Sequence, residues 1–182
     1  MGCGKSTVAG MFEELGARVI DVDRIGHEVL KDRSVKEELK KLFGEIIFNE
    51  DEIDRKKLAK IVFEDAEKLS ALERIVHPII REKVRRLVED STGVVVLDAA
   101  LLRRIGLDKL CDVIVTVKCD EEKIVERLKK KGFTEEEIER RLAAQRDIVE
   151  EGVVIENNCD LVSLRRKVRD IYNRLLGGGV GE

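Results

Sequence analysis

The residues with the clearest chemical meaning stand at the start of the chain and form the run Gly2, Cys3, Gly4, Lys5, Ser6 and Thr7. This run matches the second half of the phosphate-binding pattern G-x-x-x-x-G-K-[ST], whose glycines let backbone N–H groups close around phosphate oxygens. In that pattern Lys5 reaches the β- and γ-phosphates, and the Ser6 hydroxyl holds Mg²⁺. The helix that follows directs its positive end at the same anion. The run therefore predicts a site for nucleotide phosphates and Mg²⁺.

The phosphate-binding pattern is incomplete, because its first glycine and the strand that normally precedes the loop would lie before Met1. Two interpretations stay open: the chain is truncated, or the match is accidental and the glycines belong to an irregular N-terminus. In α/β folds that contain this phosphate-binding pattern, the strand before the loop usually lies at the centre of the sheet. Its loss leaves two neighbouring strands without a hydrogen-bonding partner, so we expect a gap in the sheet.

Acidic residues at the ends of apolar runs are candidates for handling a transferred phosphoryl group. Asp23 follows the run 17–20, at the end of a predicted strand where ligands bind, and is a candidate base for an acceptor hydroxyl. Asp21 lies closer to the strand, and both acids could instead cap the next helix. Asp98 ends a second run in the manner of a Walker-B acid, which predicts a carboxylate near the metal.

Basic residues in the middle of the chain are candidates for binding an anionic substrate. Arg81 could bind an anion through two parallel hydrogen bonds, and Arg55 is a second candidate for the same role. His77 precedes Pro78, where we expect a helix to stop because proline disfavours a helical residue before it. A purely structural His77 is the alternative. Four later cations could close over phosphates or form a solvated helix face: Arg127, Lys130, Lys131 and Arg141.

Four short apolar runs predict the strands that must position these residues. Continuous apolar runs are typical of buried parallel strands, and they lie at 17–20, 94–97, 113–117 and 153–155. Helical patterns separate them, and strands that alternate with helices form a parallel sheet with helices on both faces. The predicted fold class is therefore α/β, with three layers.

Two helical segments interrupt this alternation. Residues 34–89 lack strand signals and begin with an expected capping box of Ser34 and Glu37, and a second box of Thr134 and Glu137 opens a charged helix. We expect the first segment to serve a substrate and the second to act as a lid. The predicted parts are a core of residues 1–30, 91–118 and 151–182, a helical acceptor subdomain of residues 31–90, and a lid of residues 119–150.

Composition limits the classes of protein to which the chain can belong. Its 182 residues suffice for one domain, and 43% apolar with 40% charged residues indicate a globular protein with a highly charged surface. The net charge of -3 does not indicate a nucleic-acid partner. The four cysteines form no C-x-x-C pair, and no apolar run is long enough to span a membrane. We expect free thiols and a cytoplasmic location.

The motifs, taken in their order along the chain, resemble the dephospho-CoA kinase family. The most specific are D-x-D-x-I-x-H, from Asp21 to His27, and H-P-x-I-R, from His77 to Arg81. The resemblance implies a P-loop kinase fold with a helical insertion and a lid. It also implies transfer of the ATP γ-phosphate to the ribose 3′-hydroxyl of dephospho-CoA, with Mg²⁺ as the metal. The chain departs from the family pattern after Asp98, where the family usually has Pro-Leu-Leu with an aromatic residue and a Glu. This chain has Ala99, Ala100, Leu101, Leu102, Arg103 and Arg104 there.

Individual roles follow from the resemblance by position. Asp23 corresponds to the family's catalytic base, and Lys5 and Arg141 lie at the phosphates. The run from Gly2 to Thr7 is the ATP loop, with Ser6 and Asp98 at the metal. The segment with Asn157 and Asn158 lies near adenine, and three residues approach the acceptor: Arg55, His77 and Arg81. Two alternatives stay open, namely a P-loop kinase of another nucleoside or nucleotide and a non-catalytic nucleotide-binding fragment.

Overall fold

The structure is a computed structural model that describes residues 2–143 and 152–177. Its elements, in chain order, are α1 (Lys5–Glu14), β1 (Arg18–Asp21), α2 (Val22–Val29), α3 (Arg33–Phe43), β2 (Phe48–Asn49), β3 (Glu52–Ile53), α4 (Arg55–Phe63), α5 (Ala66–Glu89), β4 (Val95–Asp98), α6 (Leu102–Ile105), β5 (Val115–Lys118), α7 (Glu121–Lys130), α8 (Glu135–Ala143), β6 (Val153–Glu156) and α9 (Leu161–Leu176). Short 3-10 turns at Glu45–Ile47 and Asp108–Leu110 complete the described elements. The four strands that the sequence predicts correspond to β1, β4, β5 and β6, and helices lie between them along the chain.

The chain divides into two compact units. The first comprises residues 1–20, 91–100 and 108–182, and the second comprises residues 21–90 and 101–107. The expected acceptor subdomain of residues 31–90 falls inside the second unit.

The first unit contains two pairs of strands together with the phosphate-binding run. Strands β5 and β6 pair in parallel, with Val115 opposite Val153. Strand β1 pairs with β4, and the Arg18 N–H donates to the Val94 carbonyl at 2.9 Å. In the described ranges these pairs form two separate sheets.

The core of the first unit lies between α1, α9 and β6. Val8, Met11 and Phe12 recur at helical spacing on α1, so they form one apolar face. That face meets a matching stripe on α9 together with one residue of β6, and these partners are Leu164, Val168, Ile171 and Ile155. The packing fixes the axis of α1 and with it the direction of the helix N-terminus.

The second unit is built around α5, which packs against α2, α3, α4 and α6. Helix α5 spans 24 residues and continues through Pro78, so the predicted stop at His77 is wrong. Proline removes the hydrogen bond to the Arg74 carbonyl. The helix persists because Val76 and Ile80, on either side of Pro78, are buried.

Two further local predictions in the helical segment are wrong. Helix α3 begins at Arg33 with Asp32 in the N-cap position, so Ser34 lies within the first turn and forms no capping box. The antiparallel hairpin of β2 and β3 was not predicted, because each strand has only two residues and shows no alternation. The box of Thr134 and Glu137 is confirmed: the Glu137 N–H donates to Thr134 Oγ1 at 3.3 Å, and the Thr134 N–H donates to Glu137 Oε2 at 3.0 Å.

None of the helices in the described ranges combines the length and apolar character needed to cross a membrane.

Candidate active site

The phosphate-binding run, residues Gly2 to Thr7, forms a loop that ends in the first turn of α1; we call it the nucleotide loop. Gly4 is the N-cap residue with φ of 92°, a left-handed conformation that favours glycine. The Val8 N–H donates to the Gly4 carbonyl at 2.9 Å, which begins the helix at this residue. The first turn of α1 contains no acidic side chain, so no residue of the helix itself offsets the positive end of the helix dipole. This end suits an anion.

Lys5 and Asp98 form an ion pair at the nucleotide loop. Lys5 Nζ donates to Asp98 Oδ1, and the two side chains are 42% and 11% exposed. Strand β4 positions Asp98 as its last residue, and α1 positions Lys5 as its first. The structure therefore brings together two residues that the sequence predicts for one site.

The predicted metal ligands Ser6 and Asp98 supply a hydroxyl and a carboxylate oxygen. Mg²⁺ prefers oxygen ligands and usually binds to one or two protein groups together with substrate phosphates and water. Ser6 is exposed in the first turn of α1, next to Lys5, whose partner is Asp98. The chemistry of these donors fits Mg²⁺.

Asn157 and Arg127 contact the backbone of the nucleotide loop. Asn157 Nδ2 donates to the Cys3 carbonyl at 2.7 Å. Arg127 Nη2 donates to the Asn157 carbonyl at 3.1 Å, and Arg127 Nη1 lies 3.4 Å from the Gly2 carbonyl oxygen and 3.5 Å from that of Cys3. The contact of Arg127 with the loop was not predicted, because its position on a charged helix indicates only a lid cation or a solvated helix face.

Asn158 is engaged differently from its neighbour. Its Oδ1 accepts from the Asp120 N–H and its Nδ2 donates to Asp120 Oδ1, both at 2.8 Å, while its carbonyl accepts from Lys123 Nζ. Since Asp120 is the N-cap residue of α7, Asn158 joins the end of β6 to the start of that helix.

Asp21 and Asp23 occupy different positions at the start of α2. Asp21 is the N-cap residue, and its Oδ1 accepts from the Arg24 N–H at 2.9 Å. The capping alternative is therefore correct for Asp21. Asp23 lies in the first turn of the helix, one residue beyond its first position.

His77 and Arg81 lie on the same face of α5, next to α6. Arg81 Nη1 donates to the Ile105 carbonyl at 2.9 Å, and Arg104 Nε pairs with Glu73 Oε1 at 2.5 Å. Burial lowers the pKa of His77, Glu73 acts in the opposite direction, and Arg104 and Arg81 lower it further. No pattern in the sequence indicates the pairing of Glu73 with Arg104, which joins two segments distant along the chain.

The remaining predicted residues are more dispersed. Arg55 is exposed at the start of α4, after the N-cap residue Asp54. Lys130 pairs with Glu126 at 2.6 Å on the surface of α7. Arg141 belongs to α8, but its side chain lies outside the part of the chain that the structure describes.

Comparisons with known proteins identify the family to which the chain is similar. The family model for dephospho-CoA kinase matches residues 1–162. The dephospho-CoA kinase of Aquifex aeolicus is 39% identical over 96% of this chain and 93% of its own length. That of Fusobacterium nucleatum is 40% identical over 91% of this chain and 89% of its own length.

Two solved structures resemble the fold of this chain. The crystal structure of a protein from Thermus thermophilus matches with a TM-score of 0.81 and 30% identity, over 100% of this chain and 94% of that one. The dephospho-CoA kinase from Campylobacter jejuni matches with a TM-score of 0.67 and 25% identity, over 99% and 95% of the two chains. The predicted α/β class with a P-loop kinase fold is confirmed. From its motifs, its fold and these relatives, the chain belongs to the dephospho-CoA kinase family.

Proposed function

We propose that this chain transfers the γ-phosphoryl group of ATP to the ribose 3′-hydroxyl of dephospho-CoA, which gives CoA and ADP. Membership of the dephospho-CoA kinase family, over nearly the whole chain, carries this proposal. The ion pair of Lys5 with Asp98 at the start of α1 supports it, because phosphoryl transfer depends on positioning and on neutralising charge. The reaction is that of a biosynthetic enzyme, for which we propose the cytoplasm as the location.

The nucleotide loop holds the phosphates of ATP in this proposal. The backbone N–H groups at the start of α1 and the ammonium group of Lys5 stabilise negative charge on the β- and γ-phosphates. Ser6 and Asp98 would hold Mg²⁺, which when bound neutralises charge on the phosphate oxygens. Arg141 adds a further cation from α8, and the segment with Asn157 and Asn158 borders the adenine.

Asp23 is the proposed general base for the acceptor. Its carboxylate takes the proton of the ribose 3′-hydroxyl as the oxygen attacks the γ-phosphorus. The bond between that phosphorus and the bridging oxygen breaks, and ADP leaves with the electron pair. Arg55, His77 and Arg81 bind the acceptor, and the hydrogen bond to the Ile105 carbonyl fixes the orientation of the Arg81 guanidinium.

Mass-spectrometric detection of CoA tests the reaction. The protein is mixed with ATP, Mg²⁺ and dephospho-CoA, and parallel reactions contain adenosine or AMP as rival acceptors. CoA formation without transfer to either rival is the expected result. Transfer to adenosine or AMP would identify a kinase of another acceptor, and a folded protein that transfers to none would indicate a nucleotide-binding module.

Asp23→Asn tests the proposed base separately. We expect kcat to fall by about 10²- to 10⁴-fold, because a positioned base contributes a factor of that order. The affinity for ATP should remain within about twofold. Glu28→Gln, on the same helix and in an exposed pair with Arg24, is the matched control and should leave kcat unchanged. Undiminished turnover of Asp23→Asn would exclude Asp23 as the base.

A further inference from the structure

Asn157 is a buried polar side chain next to the nucleotide loop. It is 4% exposed and is the single buried polar or charged residue among those that the structure describes. Its backbone N–H donates to the Lys118 carbonyl at 2.7 Å, which ties it to the end of β5. Its Nδ2 donates to the Cys3 carbonyl. Asn157 is thus held through both its backbone and its side chain, so it is a rigid partner for a loop composed partly of glycine.

The hydrogen bond from Asn157 fixes the orientation of one peptide group. The carbonyl of Cys3 and the N–H of Gly4 belong to the same planar trans peptide unit, so they are directed to opposite sides. Because the Cys3 carbonyl is directed toward Asn157, the Gly4 N–H is directed away from it. A flip of this peptide would reverse the two groups and present a carbonyl oxygen where the loop presents an N–H group.

The contact between Gly4 and Asn157 is too close to tolerate a side chain. A Cβ atom at Gly4 would lie 2.2 Å from Asn157 Nδ2. Glycine at this position therefore provides more than a left-handed φ, since it lets the amide reach the loop backbone.

Arg127 reinforces this arrangement from α7. Its Nη2 holds the Asn157 carbonyl, and its Nη1 is directed at the carbonyls of Gly2 and Cys3. Arg127 also places Nη1 3.4 Å from Cys119 Sγ. The guanidinium thus engages Asn157 and the loop together, which a lysine could not do with one ammonium group.

We propose that Asn157 and Arg127 are positioning residues that hold the Cys3–Gly4 peptide with its carbonyl turned inward, so that the Gly4 N–H is directed at the nucleotide phosphates. This inference rests on the proposed function of the nucleotide loop. It assigns the side chains of the two residues to the phosphates, through the loop backbone.

Asn157→Leu is the principal test, since leucine keeps a similar volume, adds no charge and has no donor. We expect the KM for ATP and the inhibition constant of tripolyphosphate to rise together by about tenfold, the effect of one lost hydrogen bond to a buried acceptor. The KM for dephospho-CoA and the ratio of KM values for ATP and GTP should stay within about twofold of the wild type. Lys167→Gln, which removes a 2.9 Å hydrogen bond to the neighbouring Glu156 carbonyl, is the matched control and should change none of these constants.

Arg127→Lys provides a second, milder variant in case Asn157→Leu does not fold. It keeps the positive charge and should raise the tripolyphosphate constant by about threefold, through loss of the planar fork. Circular-dichroism melting establishes that each variant is folded. Unchanged tripolyphosphate binding in a folded Arg127→Lys and a folded Asn157→Leu would overturn the proposal. So would a change in the ATP-to-GTP ratio with an unchanged tripolyphosphate constant, because that result indicates contact with the base.

Calorimetric binding of tripolyphosphate without an acceptor separates this inference from the proposed function. If the wild type binds tripolyphosphate but makes no CoA, the proposed function fails while the comparison of variants still decides the role of Asn157. If the wild type makes CoA and the variants bind tripolyphosphate equally well, the positioning role alone fails.

Discussion

Substitution of Gly4 by alanine should damage the nucleotide loop in two separable ways. The first is backbone strain, because Gly4 has φ of 92° and an alanine there occupies a region that L-residues rarely adopt. The second is a clash, because the new Cβ would lie 2.2 Å from Asn157 Nδ2. That approach is incompatible with the hydrogen bond from Asn157 to the Cys3 carbonyl.

The two effects have different magnitudes and can be measured apart. Strain at a left-handed position costs about 1–2 kcal/mol. Displacing the buried Asn157 amide leaves its acceptor, the Cys3 carbonyl, unpaired, which costs a further ~1–3 kcal/mol. Gly93 isolates the first effect, because it has φ of 75° and a Cβ there would meet nothing within 4 Å. We expect Gly93→Ala to lower the free energy of unfolding by about 1–2 kcal/mol and Gly4→Ala by about 2–5 kcal/mol.

Urea denaturation of the two single variants and of Gly4→Ala/Asn157→Ala measures the difference. Removing the amide relieves the clash, so the double variant should be less destabilised than the sum of its two single changes. If Gly4→Ala costs no more than Gly93→Ala, or if the double variant is strictly additive, the close contact with Asn157 does not determine why glycine stands at this position.

Three further predictions concern other parts of the molecule. Asp21→Ala should lower the free energy of unfolding by about 1 kcal/mol in urea denaturation, because it removes the side-chain cap of α2; an effect below about 0.3 kcal/mol would contradict the capping role. Because the pKa of His77 is lowered in the folded protein, His77 binds a proton more readily in the unfolded chain. The contribution of His77 to the free energy of unfolding should therefore be lost as the pH falls below the ordinary pKa of 6.5. Urea midpoints of His77→Gln and the wild type, compared at about pH 7.5 and pH 5.5, should converge at the lower pH. Burial raises the pKa of the Cys111 and Cys119 thiols, so iodoacetamide should modify them more slowly at about pH 8 in the native protein than in urea, and equal rates would count against this.

Local patterns in the sequence predicted the parts of the site that depend on neighbouring residues. The glycines before Lys5 predicted the loop and the start of α1, and the apolar run before Asp98 predicted β4. The positions of both follow from the chain's own periodicity and turn preferences. Their placement at one site agrees with the rule that ligands bind at the carboxyl ends of strands, whereas the direct ion pair between them was not predicted.

Contacts between distant residues were not predictable in this way. Asn157 and Cys3 are 154 positions apart, and no spacing within either segment indicates that they form a hydrogen bond. Pro78 illustrates the opposite case, since a strong local preference to stop the helix is overcome by the burial of Val76 and Ile80. Both outcomes depend on tertiary packing, which the local sequence does not contain.

The ion pair of Lys5 with Asp98 makes anion binding at the nucleotide loop an exchange of partners. An incoming anion must interact with Lys5 more favourably than the Asp98 carboxylate does. A new cation must also take the place of Lys5 beside Asp98. A polyphosphate accompanied by a divalent cation does both at once, because it replaces each charge with an opposite one. Chloride or inorganic phosphate alone leaves Asp98 uncompensated. We therefore expect the ion pair to make the nucleotide loop selective for nucleotides. Small anions should compete poorly for the loop even when they are far more concentrated than the nucleotide.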